Sequence, residues 1–174
     1  MDRSIALIGL SGVGKSTIAR LLAEQLDWRW ADIDALVVEM AGRSIAEIFV
    51  TEGESRFRKY EATALRGVLQ LMTTPCVIAT GGGIVLRAEN RQLLRERSLV
   101  VWLDAPNQTL LARLRTSDEE RPLLNGEHPV VRLEALRTAR APLYRDLANL
   151  VIATDGLLPV QVAALIIDAL GSAD

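Results

Sequence analysis

Gly9-Leu10-Ser11-Gly12-Val13-Gly14-Lys15-Ser16 fits the pattern G-x-x-x-x-G-K-[ST], and its surroundings fit as well. Ser4 to Ile8 before it form a compact apolar run of strand length. Ile18, Leu21, Leu22 and Leu26 after it recur at helical spacing. A strand must therefore stop, turn sharply and start a helix here. Glycines let backbone N–H groups converge on an anion, and the helix N-terminus adds its positive end. Lys15 then reaches the β- and γ-phosphates of a nucleotide, and the Ser16 hydroxyl ligates Mg2+. At average residue frequencies the fixed positions coincide by chance in roughly half a percent of chains this long. Lysine occurs here only at 15 and 59, which makes chance rarer still. Nucleotide phosphate binding is the working premise.

The remaining composition narrows the class. The 174 residues are read as one domain, 1–174, long enough for a substantial core. Hydrophobic residues make up 49% and charged residues 24%, the balance of a soluble globular protein. A formal net charge of -2 gives no electrostatic reason to expect nucleic-acid or membrane binding. Cys76, the only cysteine, lies in the apolar run Cys76-Val77-Ile78-Ala79 and is read as a buried, inert thiol. No signal-peptide pattern and no apolar run of about 20 residues occurs, so a cytoplasmic location is expected.

Along the chain, strands and helices alternate. Strands are expected at about 3–8, 29–33, 76–80, 99–103 and 150–153. Helices are expected at about 15–27, 34–42, 45–51, 90–96, 129–146 and from Pro106 to Arg115, with a last one opening at Pro159. Thr51 with Glu54 suggests a capping box for a further helix reaching about residue 72. Its residues Phe57, Tyr60, Leu65, Val68, Leu69 and Met72 fall broadly on one side. Residues 116–128 are polar and aperiodic. Trp28, Trp30 and Trp102 are expected to pack, and His128 to be solvated. Five strands alternating with helices make an α/β protein, a parallel sheet covered on both faces. Ligands in such sheets sit at the carboxyl ends of the strands.

Four groups near those ends carry chemistry. Asp32-Ile33-Asp34, if extended, points two carboxylates the same way, suited to holding Mg2+ and accepting a proton from an attacking hydroxyl. Asp34 alternatively N-caps the next helix. Arg58 and Glu61 are neighbours on a helix, either a surface ion pair or an oriented clamp for a substrate carboxylate. Gly81-Gly82-Gly83 implies either an ordinary tight turn or a backbone that something approaches closely. Arg121, in the polar stretch, is placed to close over a nucleotide and put charge on a transferring phosphoryl group.

Taken together, the chain resembles the shikimate kinase family. The likeness rests on the phosphate loop at 9–16, Asp32-x-Asp34, and Gly42-Arg43-Ser44-Ile45 with Ile48-Phe49. It continues through Gly53-Glu54-x-x-Phe57-Arg58-x-x-Glu61, Gly81-Gly82-Gly83, Arg121-Pro122-Leu123-Leu124 and Arg140-x-Pro142-Leu143-Tyr144. These motifs span nearly the whole chain in the family's order. The resemblance implies a three-layer, nucleoside-monophosphate-kinase-like fold, sheet order 2-3-1-4-5. A substrate-binding region at about 33–61 and a mobile lid at about 114–128 belong to it. It implies ATP-dependent phosphorylation of the shikimate 3-hydroxyl, a step of aromatic amino-acid biosynthesis, by a monomer using Mg2+.

Carried onto matching positions, Gly12, Val13, Gly14, Lys15, Ser16 and Thr17 bind the ATP phosphates, with Arg113 beside the adenine. Ser16 binds Mg2+ directly and Asp32 does so through water. Asp34 bonds the substrate hydroxyls and accepts the proton; Lys15, Asp34 and Arg121 form the catalytic set. Arg58 and Arg140 hold the carboxylate, Gly81 and Gly82 contribute backbone, and Phe49 and Phe57 wall the ring. Ile33 stands where the family usually has Ser or Thr, and Ser117 to Glu120 is more acidic than many lids. Rival readings are a kinase for gluconate, quinate or a nucleoside monophosphate, and a non-catalytic, kinase-like ligand-sensing domain.

Overall fold

The computed structural model of the protein describes residues 3–71, 74–116 and 128–171. Five strands, β1 (Ser4–Ile8), β2 (Arg29–Asp32), β3 (Cys76–Ala79), β4 (Ser98–Asp104) and β5 (Leu150–Ala153), form one parallel sheet in the order β2-β3-β1-β4-β5. That is the expected order. Crossovers are made by α1 (Lys15–Leu26), α2 (Ile33–Ala41), α3 (Ile45–Thr51), α4 (Gly53–Leu71), α5 (Ala88–Arg97), α6 (Asn107–Arg115) and α7 (Pro129–Leu147), and α8 (Pro159–Gly171) closes the chain.

The three central strands are apolar because both of their faces are covered. Ile5, Leu7 and Ile8 of β1 are fully buried, as are Val77 and Ile78 of β3 and Val100 and Val101 of β4. Each large side chain among them contributes about 1.5–3 kcal/mol by leaving water. α8 buries Val162, Ala163, Ile166 and Leu170, the expected stripe. Cys76 is fully buried, and burial pushes its thiol up, away from reactivity. None of the described helices is long and apolar enough to cross a membrane.

Three local expectations are corrected. β2 is an edge strand, so Trp30 is 44% exposed instead of packed, while Trp102 on central β4 is buried. The capping box lies at Ser44 and Glu47, where side chain and backbone N–H bond reciprocally, and not at Thr51 and Glu54. Thr51 is the last residue of α3 and its hydroxyl donates to the Glu47 carbonyl; Glu54 pairs with Arg58 instead. Finally, β2 stops at Asp32, and that residue, not Asp34, caps α2. Its Oδ1 accepts the backbone N–H groups of Asp34 and Ala35. The two carboxylates therefore do not alternate along a strand: one is a cap and the other sits in the first helical turn.

Register fixes where the site lies. Asp32 pairs with Ala79, Ala79 with Leu7, and Ile8 with Trp102. The ends of β2, β3 and β1 are thus level. The segments that leave them, Asp32 onward, Thr80 onward and Gly9 onward, emerge side by side. Thr80 extends the alignment one step past β3, its backbone N–H and its hydroxyl both donating to the Leu7 carbonyl.

Candidate active site

A cleft of about 800 Å³ opens at these strand ends, lined by the loop Ser11–Thr17, by Asp32, Asp34 and Gly82, and on its far side by Arg113 and Thr154. The loop needs its glycines. Gly9 has φ 138°, and a Cβ there would lie 2.3 Å from the Leu103 carbonyl oxygen. Gly14, at φ 96°, is the N-cap of α1 and makes no side-chain cap, so the start of the helix meets the cleft without one. Lys15 is nearly buried, and its ammonium donates to the Gly9 and Leu10 carbonyls at 2.8 and 2.9 Å. The charge is held over the loop, on the side where an anion would sit.

Ser16, in the first turn of α1, donates its hydroxyl to Oδ2 of Asp32. Asp32 thereby divides its work: one oxygen caps α2 and the other faces the loop. This pair suits a hard cation. Both donors are oxygen, and among the described residues no group of three or more His, Cys, Asp or Glu could hold a metal alone. A cation here would need phosphate oxygens and water to complete its shell, which is how Mg2+ is commonly bound.

On the other side of Asp34 stands the glycine turn. A Cβ on Gly81 would lie 2.6 Å from Glu61 Oε1 and 2.7 Å from Asp34 Oδ1. On Gly82 it would lie 3.4 Å from both Arg140 Nη1 and the Gly9 carbonyl oxygen. On Gly83 it would fall inside the Arg58 guanidinium. The close-approach reading of the three glycines is therefore correct, and the turn brings Asp34, Arg58, Glu61 and Arg140 within reach of the phosphate loop.

Arg58 is no surface residue: it is 8% exposed and Glu61 is fully buried. Its Nη1 donates to both oxygens of Glu61 at 3.3 Å, and its Nη2 donates to Glu54 at 2.7 Å. Phe57 lies under the guanidinium, 5.0 Å from ring centroid to Cζ, and Phe49 packs against Phe57 with centroids 5.0 Å apart. Arg58 and Glu61 are thus a buried, oriented pair and not the surface ion pair that their spacing also allowed. Arg140 is 5% exposed on α7. One turn on, Tyr144 is buried and its hydroxyl donates to the Gly82 carbonyl.

Arg113 donates to the hydroxyl and the carbonyl of Thr154 at 3.0 and 2.9 Å. That couples α6 to the end of β5 beside the loop that carries Leu157. His128 is exposed, as expected. Arg121, and the lid apart from its ends at Leu114–Thr116 and His128, lie outside the described residues. Sequence reasoning gave no role to Thr80, Thr154 or Tyr144. The first two were findable, since each is the polar residue just past the carboxyl end of a strand. Tyr144 has no such signal, because its partner is 62 residues away.

Glu61 has an unusual proton affinity. Burial, opposed by Arg58 and reinforced by the negative charge of Asp34, pushes its carboxyl from 4.5 up to about 7. A carboxyl that holds its proton more tightly folded than unfolded favours the fold at low pH, and this contribution is lost as pH rises from about 4.5 to 7. Its full size is on the order of 3 kcal/mol. Urea unfolding of the wild type and of Glu61→Gln at about pH 5, 6, 7 and 8 is expected to show the wild type losing stability relative to the variant over that window. A pH-independent difference would mean that Glu61 stays ionised throughout.

Comparison with known proteins agrees with this geometry. The family model for shikimate kinase matches residues 11–171. A shikimate kinase of Marinomonas sp. (strain MWYL1) is 45% identical over 167 residues, 96% of this chain and 91% of that protein. One from Symbiobacterium thermophilum is 45% identical over 168 residues, 96% of this chain and 95% of that protein. Among solved structures, shikimate kinase from Acinetobacter baumannii in complex with shikimate superposes with a TM-score of 0.94 at 36% identity, covering 100% of this chain and 96% of that one. The chain with this phosphate loop and these two buried arginines belongs to the shikimate kinase family of enzymes.

Proposed function

We propose that the protein transfers the γ-phosphoryl group of ATP to the 3-hydroxyl of shikimate. The observation that carries this reading is the convergence on one glycine turn of a carboxylate, Asp34, and two buried arginines, Arg58 and Arg140, next to the phosphate loop. A small polyhydroxylated acid needs one clamp for its carboxylate and one acceptor for its hydroxyl, and these groups supply both. Two guanidiniums suit a planar carboxylate, and their burial strengthens the pairing.

In this scheme the N–H groups of Gly12 to Thr17 and the Lys15 ammonium bind the phosphates. Arg58 and Arg140 hold the shikimate carboxylate, the Gly81–Gly82 backbone lines the same face, and Phe49 and Phe57 wall the ring. Asp34 orients the 3-hydroxyl and takes its proton as the oxygen attacks the γ-phosphorus. Phosphoryl transfer spreads charge over the equatorial oxygens, so catalysis consists of positioning and charge neutralisation. Lys15 supplies one positive charge, and Arg121 is proposed to supply another. Ser16 and Asp32 would hold Mg2+, which when bound neutralises charge on the β- and γ-phosphates. Arg113 and Thr154 would border the adenine.

The test is ADP release by the purified chain with ATP and, in separate reactions, shikimate, quinate, gluconate and nucleoside monophosphates. Shikimate-dependent release is expected. Turnover of gluconate or of a nucleoside monophosphate without turnover of shikimate would overturn the reading, and release with none of them would favour a ligand-sensing role.

A further inference from the structure

We propose that Gly83 is a positioning residue for the substrate carboxylate: its bare Cα is the stop against which the Arg58 guanidinium rests. The proposal deepens the reading of Arg58 as the carboxylate clamp and rests on it.

Gly83 has φ -98° and ψ 3°, a conformation open to any residue, so backbone freedom does not explain a glycine there. Space does. A Cβ would lie 2.4 Å from Arg58 Cζ, 2.4 Å from Nη1 and 2.5 Å from Nη2. Near-equal distances to three atoms of one planar group mean that the guanidinium lies face-on to the Gly83 Cα.

Among the described residues, the hydrogen bonds and the ring contact of Arg58 come from its own helix. Glu54 and Glu61 grip its nitrogens from one turn either side, and Phe57 is its neighbour in sequence. These partners orient the plane but move with α4, so they cannot set how far the guanidinium projects toward the phosphate loop. Gly83 belongs to the turn that follows β3, whose Gly82 is tied by its carbonyl to Tyr144 and lies against Gly9. It is the contact that references Arg58 to the frame in which the nucleotide and Arg140 are also held. An alanine would have to push the guanidinium away by more than about half an ångström, and misplacements on the ångström scale cost up to about 100-fold in a positioned reaction.

Gly83→Ala is expected to raise the shikimate KM about tenfold or more, with the ATP KM within about twofold of wild type. In the Arg58→Ala background, where shikimate KM is already high, adding Gly83→Ala is expected to change it less than about twofold. Urea unfolding gives a second readout: adding Gly83→Ala should cost less stability in the Arg58→Ala background than in the wild type, because the clash leaves with the guanidinium. Effects on KM that multiply across the two sites, a raised ATP KM, or a stability cost of Gly83→Ala that is the same in both backgrounds would each overturn the proposal. Should the wild type not turn over shikimate, the substrate reading fails. The unfolding comparison then still reports on the Gly83–Arg58 contact.

Discussion

Lys15→Ala is expected to lower kcat by roughly 100- to 1,000-fold, the range seen when one preorganised donor to a developing negative charge is removed. Two features support so large an effect. The ammonium is nearly buried, so its field is weakly screened by water, and the Gly9 and Leu10 carbonyls already hold it over the phosphate loop. No reorganisation is needed when charge appears on the transferring group. The fold should survive. The two carbonyls that lose their donor belong to buried residues, Gly9 and Leu10, so the cost is about 1–3 kcal/mol for each carbonyl that stays unpaired. Lys15→Arg is not expected to restore activity, because a planar fork does not occupy the place of a compact point charge. Steady-state kinetics with urea unfolding as the control for folding decide the matter. A loss of less than about tenfold would show that the phosphate charge is met elsewhere.

The same loop explains why so much of the architecture was legible from sequence. A glycine-rich turn between an apolar run and a helical stripe has few three-dimensional solutions, and the alternation after it pointed to a parallel sheet with its ligands at the strand ends. What escaped depended on competition between equal local signals. Ser44-x-x-Glu47 and Thr51-x-x-Glu54 both spell a capping box, but Thr51 is the last residue of α3, and α4 opens only at Gly53, whose φ is 79°. Asp32 and Asp34 were both plausible caps. Asp32 prevails because β2 ends level with Ala79 and the helix must begin at the next residue.

Site chemistry was legible as residue types and illegible as distances. Arg58 and Glu61 three residues apart were equally compatible with a surface pair. In the structure Arg58 is buried, with Gly83 approaching its guanidinium from another element. Trp30 shows the reverse error. A tryptophan in a strand is normally core, and no local pattern reveals that the strand will lie at the sheet edge. Long-range contacts such as Tyr144 with Gly82 carry no signature in either partner's neighbourhood.

Asp34→Asn is the other substitution expected to act strongly, with kcat falling about 100- to 10,000-fold and shikimate KM changing only a few-fold. The amide is nearly isosteric and still bonds a hydroxyl, so binding is largely kept, but it cannot take the proton. Geometry favours Asp34 over Glu61 for this role. Glu61 is fully buried and gives both oxygens to Arg58, whereas Asp34 lines the cleft and sits at the positive end of α2. The two carboxylates are nonetheless coupled, since the charge of Asp34 is one of the causes that raise Glu61. Removing it should let Glu61 ionise at lower pH, moving the stability loss assigned to Glu61 in the same direction in urea unfolding of Asp34→Asn. A kcat within about threefold of wild type, with the Glu61 behaviour unchanged, would mean that Asp34 neither accepts the proton nor carries the charge that Glu61 feels. With kcat lost and the Glu61 shift present, a single residue would both accept the proton and add, beside burial, to the raised proton affinity of its buried neighbour.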